Sequence, residues 1–161
     1  MVGGRLHTTA VPPPLHQLVV IRLAAATAEF VRANHFCWVV LGPIDVLFAV
    51  GDYLVPDLIF IRRERGGIIS DRGIEAAPDL VVEVLSRSTA ERDRGIKRER
   101  YMYFGVPTYW IVDPEAGEIE VYRLAEGKAE PEIVRDVLSW RPVPGEPELE
   151  IRLAEVLRGF E

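Results

Sequence analysis

Hydrophobic residues recur along this chain with two different periods. From Leu15 to about Ala33 they return every three or four positions, which is the period of an amphipathic α-helix. His16, at the start of that helix, is expected to be a cap or surface residue. Later runs are short, apolar and rich in β-branched or aromatic residues, which predicts strands. These runs are residues 36–41, 46–50, 57–61, 79–85, 108–112 and 119–124.

The segments between these runs predict how the elements connect. Gly42-Pro43 separates the first two strands and predicts a hairpin or meander. The long charged segment 62–78 is typical of a functional or mobile loop. Ser88-Thr89-Ala90-Glu91 is a capping-box pattern, so a second helix is expected to start there and to end at Gly105. Two more strands are expected near 133–137 and 148–151, followed by a short helix from Leu153.

The second helix is expected to cross over between the strands at 79–85 and 108–112. This order of elements predicts an α/β (α+β) fold, in which helices flank a mixed β-sheet. Residues 1–14 carry three consecutive prolines and are expected to form an N-terminal arm, either loose or as a lone edge strand. Residues 15–161 are long enough to form a single domain with its own core.

Composition narrows the classes of function. Of the 161 residues, 48% are apolar and 27% are charged, as in ordinary globular proteins. The formal charge of −6 argues against a general nucleic-acid coat or a binder of anionic membranes. Cys37 is the only cysteine, which excludes a disulfide framework and a cysteine-based zinc site, and it is expected to be a buried hydrophobe. No run approaches the ~18 apolar residues of a membrane span, so a cytoplasmic protein without a membrane partner is expected.

Glu83 is the most informative residue of the chain. It lies in the most apolar stretch, between Val81, Val82, Val84 and Leu85, and is therefore expected on a largely buried strand. Burying an unpaired charge is costly. Glu83 is therefore expected to be paired, protonated or bound to a cation.

Strand geometry selects Asp57 as the acid that can meet Glu83. Asp79 lies on the same strand as Glu83 but roughly 13 Å away at ~3.3 Å per residue, too far to share one ion. If the strand of Asp57 pairs antiparallel with Ile61 opposite Asp79, Asp57 lies opposite Glu83. Two carboxylates without cysteine or a close histidine favour Mg²⁺ or Mn²⁺. Asp57 can equally be a turn or strand-start residue after Pro56.

The second helix adds further charged groups. Asp93, Lys97 and Tyr101 are spaced i, i+4, i+8 and share one face. Lys97 could stabilise a phosphate, whereas the plainer interpretation is a surface ion pair between Asp93 and Lys97. Ten of the 19 Lys and Arg residues fall between Arg62 and Arg100, which allows a local basic face. Candidates for phosphate contacts, or equally for a solvated helix face, are Arg87, Arg92, Arg94, Arg98 and Arg100.

Three motifs carry a resemblance to a known family. They are "VPDLIFI" at 55–61, "APDLVVEVLSRST" at 77–89 and "GVPTYWIVDP" at 105–114. Together with Asp93, Lys97 and Tyr101, they resemble the Uma-type family of bacterial endonucleases, which belongs to the PD-(D/E)XK restriction-endonuclease-like superfamily. The resemblance covers roughly residues 13–124. It implies a restriction-endonuclease-like core and a magnesium-dependent nuclease site.

The resemblance also implies roles for individual residues. Asp57 matches the first acid of the motif and Glu83 the second. The superfamily's lysine normally follows the second acid by two positions, where this chain has Leu85. The resemblance implies that Lys97, on the following helix, takes its place.

These expectations combine into a hypothesis about function. The chain is predicted to be a Mg²⁺-dependent endonuclease that hydrolyses DNA phosphodiester bonds, with Asp57 and Glu83 as metal ligands and Lys97 as a third catalytic residue. A homodimer is expected, because cleavage of both strands needs two sites. The alternative is a non-catalytic nucleic-acid-binding or interaction module on the same scaffold, and a phosphoesterase acting on small substrates is a further candidate.

Overall fold

The computed structural model describes residues 12–49 and 51–159. Its helices are α1 (Pro14–Asn34), α2 (Ala90–Arg92), α3 (Arg98–Tyr103) and α4 (Leu153–Val156). A π-helical turn (Asp93–Lys97) joins α2 to α3, and the three together are called the crossover helix, residues 90–103. Two 3₁₀ helices span Arg63–Ile68 and Leu124–Glu126. The strands are β1 (Cys37–Leu41), β2 (Val46–Ala49), β3 (Asp52–Leu54), β4 (Leu58–Arg62), β5 (Ile69–Ser70), β6 (Gly73–Ile74), β7 (Leu80–Val84), β8 (Thr108–Asp113), β9 (Glu118–Arg123), β10 (Glu132–Val134), β11 (Val137–Trp140) and β12 (Leu149–Arg152).

A six-stranded mixed sheet forms the centre of the fold, in the order β1-β4-β7-β8-β9-β10. Within this sheet β7 and β8 run parallel, and the crossover helix connects them; the other neighbours in this sheet are antiparallel. A parallel pair needs such a crossover connection, because a short turn can join only antiparallel strands. The predicted mixed sheet flanked by helices is confirmed.

Both faces of the central sheet are buried. On the first face, Leu58, Phe60, Val82 and Trp110 pack with α1, α4 and the β11–β12 hairpin. On the second face, a separate core cluster contains Ile59, Ile61, Val81 and Ile111, together with residues of the crossover helix and of a small second sheet, β3-β2-β6-β5. Side chains alternate between the faces of a strand, so Glu83 belongs to the second face with Val81.

The pairing of β4 with β7 agrees with the prediction. The two strands are antiparallel, and the ladder pairs Leu58 with Val82, Ile59 with Val81 and Phe60 with Leu80. Extending this register by one residue places Asp57, just before β4, opposite Glu83. The sequence-based register is therefore confirmed.

The predicted hairpin of β1 and β2 is wrong. β1 pairs with β4 in the central sheet, whereas β2 pairs with β3 and β6 in the second sheet. The reason is tertiary: the second face of the central sheet needs an apolar cover, and the fully buried Val46 of β2 belongs to the core on that face. The Gly42 N–H donates to the carbonyl of Asp57 at 2.8 Å, which ties the end of β1 to β4 instead.

Three other expectations also need correction. Segment 62–78, which was expected to be a functional or mobile loop, contains a 3₁₀ helix and the short β5–β6 hairpin of the second sheet. The expected strand near 133–137 is two strands, β10 and β11, in different sheets. The helix does start where the capping-box pattern predicted, at Ala90, but the cap itself is wrong, since the N-cap residue Thr89 makes no side-chain cap. Its hydroxyl instead accepts the Ser86 N–H at 3.1 Å.

Helix α1 has the predicted position and a clear inward stripe. Its buried residues are His16, Val19, Val20, Leu23 and Thr27. It begins at Pro14, one residue inside the predicted arm, because proline is favoured in the first helical turn. Residues 1–11 of that arm lie outside the described residues. Within the described part of the chain, no helix has both the length and the apolar character needed to cross a bilayer.

Cys37, on β1, behaves as the sequence predicted. Its side chain is 1% exposed, and burial raises the pKa of the thiol to about 11. The thiol is therefore protonated at neutral pH, and Cys37 is a small buried hydrophobe.

We expect Gly42→Ala to destabilise the fold next to Asp57. A Cβ atom at position 42 would lie 2.3 Å from the backbone oxygen of Pro56, so the backbone itself must move. Overpacking of this kind costs about 1–3 kcal/mol, measurable by urea unfolding. Gly67→Ala is the matched control, because a Cβ there meets nothing within 4 Å. Equal midpoints for the two variants would contradict the expectation.

Candidate active site

A cluster of buried charged groups lies at the edge of the central sheet where β7 ends and β4 begins. Glu83, near the end of β7, is only 3% exposed. Lys97 and Tyr101 of the crossover helix both reach the same oxygen of Glu83: Lys97 Nζ lies 2.8 Å from Oε1, and the Tyr101 hydroxyl donates to Oε1 at 2.8 Å. Glu83 is therefore paired, one of the three states predicted for it.

Burial raises the pKa of Glu83 to about 7, and the negative charges of Asp57 and Asp93 add to this rise. The ammonium of Lys97 opposes the rise. Burial also raises the pKa of the Tyr101 hydroxyl well above its usual value, so Tyr101 remains a hydrogen-bond donor. Glu83 is consequently a carboxylate that takes up a proton near neutral pH unless positive charge stabilises its ionised form.

Lys97 is shared between two carboxylates. Its Nζ also lies 2.9 Å from Asp93 Oδ1, and Lys97 and Asp93 are only 7% and 1% exposed. Burial lowers the pKa of Lys97, but the charges and hydrogen bonds of Glu83 and Asp93 outweigh burial, so the pKa is raised overall. The interpretation of Asp93 and Lys97 as a surface ion pair is wrong: the pair exists, but it is buried and includes Glu83.

The π-helical turn helps to aim these groups at Glu83. In an α-helix each i, i+4 step advances about 40° around the axis, so Asp93 and Tyr101 would lie roughly 80° apart. The wider π turn between Asp93 and Lys97 has more residues per turn and offsets part of that rotation. The Tyr109 hydroxyl donates to the Asp93 carbonyl oxygen at 3.1 Å and helps to hold this turn.

Asp57 lies just before β4 and is held by two donors. Its Oδ2 accepts the Val84 backbone N–H at 2.8 Å and lies 3.2 Å from His16 Nε2. Burial lowers the pKa of His16, but the hydrogen bond to Asp57 and nearby acids raise it overall. Asp57 thus has the strand-start role that the sequence left open, and it also lies beside Glu83.

His16 belongs to this cluster, although its sequence context did not predict that. His16 was expected at the surface, but it is 7% exposed and contacts Asp57. The signal was present in helix periodicity, because His16 shares the inward stripe of α1 with Val20, Leu23 and Thr27. Following that stripe back to the first turn of α1 leads to His16 and predicts that it is buried.

Asp79 and most of the candidate arginines make contacts away from Glu83. Asp79 accepts hydrogen bonds from Arg62 and Arg65, which agrees with a strand-start residue that is no partner of Glu83. Arg94 pairs with Asp113 and Glu120. The remaining contacts are Arg87 with Glu115, Arg100 with Asp52 and Arg98 over the Tyr122 ring. Three of the five candidate arginines, Arg87, Arg94 and Arg100, are paired with acids, so this surface carries charges of both signs.

An open cleft of about 530 Å³ borders the cluster. Its walls come from the start of α1, the segment after β7, the crossover helix and the β8–β9 turn, and include His16, Leu85 and Arg94. His16 therefore lies between the cleft and Asp57. Leu85, the position of the superfamily's usual lysine, supplies an apolar wall, and a different element supplies the ammonium beside Glu83.

A family model described as "Uma2: Putative restriction endonuclease" matches residues 1–154. The chain belongs to the Uma2 family. The resemblance found in the sequence is therefore confirmed, and it extends over nearly the whole chain. No curated protein matches the chain significantly.

A solved structure shares the fold of this Uma2-family chain. It is described as the crystal structure of "a putative nuclease belonging to DUF820" from Anabaena variabilis ATCC 29413, with a TM-score of 0.75 and 20% sequence identity. The match covers 97% of this chain and 87% of that chain. At this identity the match shows a common fold, and the central sheet with its crossover helix is part of it.

We expect Lys97→Met to destabilise the Uma2-family fold strongly at pH 8. The change leaves Glu83 and Asp93 buried without their shared cation, and removing one partner of a buried pair costs about 3–5 kcal/mol. The loss is expected to be smaller at pH 5, because Glu83 without Lys97 takes up a proton more readily. Urea unfolding at both pH values measures this.

Two comparisons make the Lys97 result specific. Adding Glu83→Gln to Lys97→Met removes one uncompensated charge and is expected to restore part of the lost stability. Arg87→Met removes an exposed ion pair and is expected to leave the unfolding free energy nearly unchanged. A Lys97→Met loss as small as that of Arg87→Met, at both pH values, would overturn the expectation.

The stability of the fold should depend on pH through Glu83. The pKa of Glu83 is raised from 4.5 to about 7 in the folded state, so folding is favoured by this group below pH 4.5 and the advantage is lost as pH rises to 7. The stability of the wild type relative to Glu83→Gln should therefore fall by on the order of 3 kcal/mol over this window. Glu115→Gln, at an exposed position, is the control for the unfolding measurements. If the difference in unfolding free energy between the wild type and Glu83→Gln does not change with pH, the raised pKa of Glu83 is refuted.

Proposed function

We propose that this protein is a divalent-cation-dependent endonuclease that hydrolyses DNA phosphodiester bonds. The observation that carries the proposal is the convergence of Glu83, Asp57 and Lys97 from three separate elements at one edge of the sheet, next to an open cleft. Membership of the Uma2 family supports the same class of reaction. Asp57, Glu83 and Lys97 are the proposed catalytic residues.

The charges of the cluster fit a hard divalent cation. Three acids, Asp57, Glu83 and Asp93, face the ammonium of Lys97 and the ring of His16, and the nearby acids raise the pKa of Glu83. Carboxylate oxygens are the ligands that Mg²⁺ and Mn²⁺ prefer. Among the described residues, no three His, Cys, Asp or Glu side chains form a complete ligand set. Asp57 and Glu83 would therefore hold Mg²⁺ or Mn²⁺ with water and phosphate oxygens, which is usual for Mg²⁺.

The cation, Lys97 and Tyr101 would each have a separate role in the reaction. A bound Mg²⁺ supplies polarisation of the phosphate and a lower pKa for a bound water. Lys97 is already held beside Glu83 at 2.8 Å, so its ammonium is in place to stabilise negative charge that develops on a phosphate. Tyr101 donates to Glu83 and fixes the orientation of that carboxylate.

DNA would be bound through its phosphates at the cleft. Arg87 and the hydroxyls of Ser86 and Ser88 line the cleft. The side chain of Arg87 is 88% exposed and paired only with the exposed Glu115, a weak contact that a phosphate can replace. Because few cationic groups are available, binding is expected to be weak and to depend only shallowly on salt concentration. A homodimer would supply two such sites for cleavage of both strands.

One observation favours the non-catalytic alternative. Asp57 and Glu83 are each bound by two groups of the chain itself, so the cluster is stable without added ligands. An interaction module on this scaffold needs no cation. Calorimetric titration with Mn²⁺ separates the two functions, because the module binds none and the nuclease must bind it.

We expect Glu83→Gln and Asp57→Asn each to abolish Mn²⁺-dependent cleavage of plasmid DNA. Each change keeps the shape of the side chain and removes a charged oxygen ligand, so circular dichroism should show an intact fold. Glu132→Gln, in an exposed pair with Arg123, is the matched control and should cleave like the wild type. Cleavage by Glu83→Gln at the wild-type rate would sink the assignment.

A further inference from the structure

We propose that His16 is a positioning residue for Asp57: its ring holds the carboxylate in the orientation that a cation needs. The expected effect on cation binding rests on the proposed function, whereas the contact between His16 and Asp57 rests on the geometry of the structure alone. Nothing in the motifs that led to Asp57, Glu83 and Lys97 includes His16.

The position of His16 follows from the first turn of α1. The helix begins at Pro14, and His16 opens the stripe that continues through Val20 and Leu23 into the core. This stripe directs the ring to the sheet edge where β4 begins. There its Nε2 lies 3.2 Å from Asp57 Oδ2, with the side chain 8% exposed.

Two donors from different elements meet at one oxygen of Asp57. The Val84 N–H belongs to β7 and the His16 ring belongs to α1, and both contact Oδ2. A carboxylate held by one donor can still rotate about its terminal bond, whereas donors from two directions fix its plane. No hydrogen bond among the described residues reaches Oδ1, so Oδ1 is the oxygen left for a cation or its water.

The other ring nitrogen supports a role that packing alone does not explain. With Nε2–H donating to Asp57, Nδ1 is buried and has no hydrogen-bond partner in the described part of the chain. A buried polar atom without a partner is unfavourable, and leucine would fill the same space without one. The contact with Asp57 accounts for a histidine at this position.

The consequence is measurable as cation affinity. Groups that orient a ligand of a metal ion typically change affinity about 10–100-fold when they are removed. We expect His16→Leu, which keeps bulk and loses the donor, to weaken Mn²⁺ binding at least about tenfold in calorimetric titration. His16→Gln places an amide N–H at similar reach and should restore most of the affinity.

Two controls separate positioning from a loss of folding. His35→Asn changes an exposed histidine at the left-handed end of α1, where asparagine is tolerated, and should bind Mn²⁺ like the wild type. Thermal unfolding of each variant shows whether His16→Leu is folded. A purely structural role would weaken the fold in both His16 variants without the difference in Mn²⁺ affinity between Leu and Gln.

A second measurement tests the contact without any metal. In a ¹⁵N-labelled sample, the Nε2 proton of His16 should be visible and protected from exchange with water, and His16→Gln identifies its signal among the three histidines. Asp57→Ala removes the acceptor and should abolish that protection.

The outcomes distinguish this inference from the proposed function. If wild type and His16→Leu bind Mn²⁺ equally, the positioning role fails and the proposed nuclease stands. If the wild type binds no Mn²⁺, the proposed metal chemistry fails, and the imidazole signal then decides whether His16 holds Asp57. An Nε2 proton that stays protected in Asp57→Ala overturns the inference in either case.

Discussion

The buried ion pair of Glu83 and Lys97 is the interaction on which the rest of this structure depends. A carboxylate in the middle of an apolar strand must have a partner, and here the partner comes from the helix that crosses over between β7 and β8. The pair therefore fixes how that helix packs on the sheet. The fold and the candidate site share this one contact, so a change to either residue alters the stability of the fold as well as the site.

Even with the Glu83–Lys97 pair in place, acidic groups outnumber basic groups at this edge of the sheet. Lys97 serves both Glu83 and Asp93, and Asp57 has only the His16 ring and a backbone N–H. This imbalance supports a cation-binding function more strongly than the spacing of the motif does, because it is a property of the assembled cluster.

Local patterns were sufficient for much of the fold and part of the candidate site. Helix α1, the strands of the central sheet and the register that opposes Asp57 to Glu83 followed from periodicity and strand alternation. The pairing of β1 with β4 and the second sheet did not, because many strand pairings satisfy the same alternation. The need to cover both faces of the central sheet selects among them. The capping box did not form because the Thr89 hydroxyl contacts the backbone N–H and the hydroxyl of Ser86 instead of an N–H in the first turn of the helix.

The sequence by itself determined that Glu83 is buried, that Asp57 can oppose it and that Lys97 shares a helix face with Asp93. Each conclusion depends on neighbours in the chain or on one strand pairing. Only the tertiary structure decided that Lys97 and Tyr101 reach Glu83, and that His16 contacts Asp57. These contacts join residues far apart in sequence, whose distances depend on how helices pack against the sheet. Packing is a property of the whole core, and no local pattern encodes it.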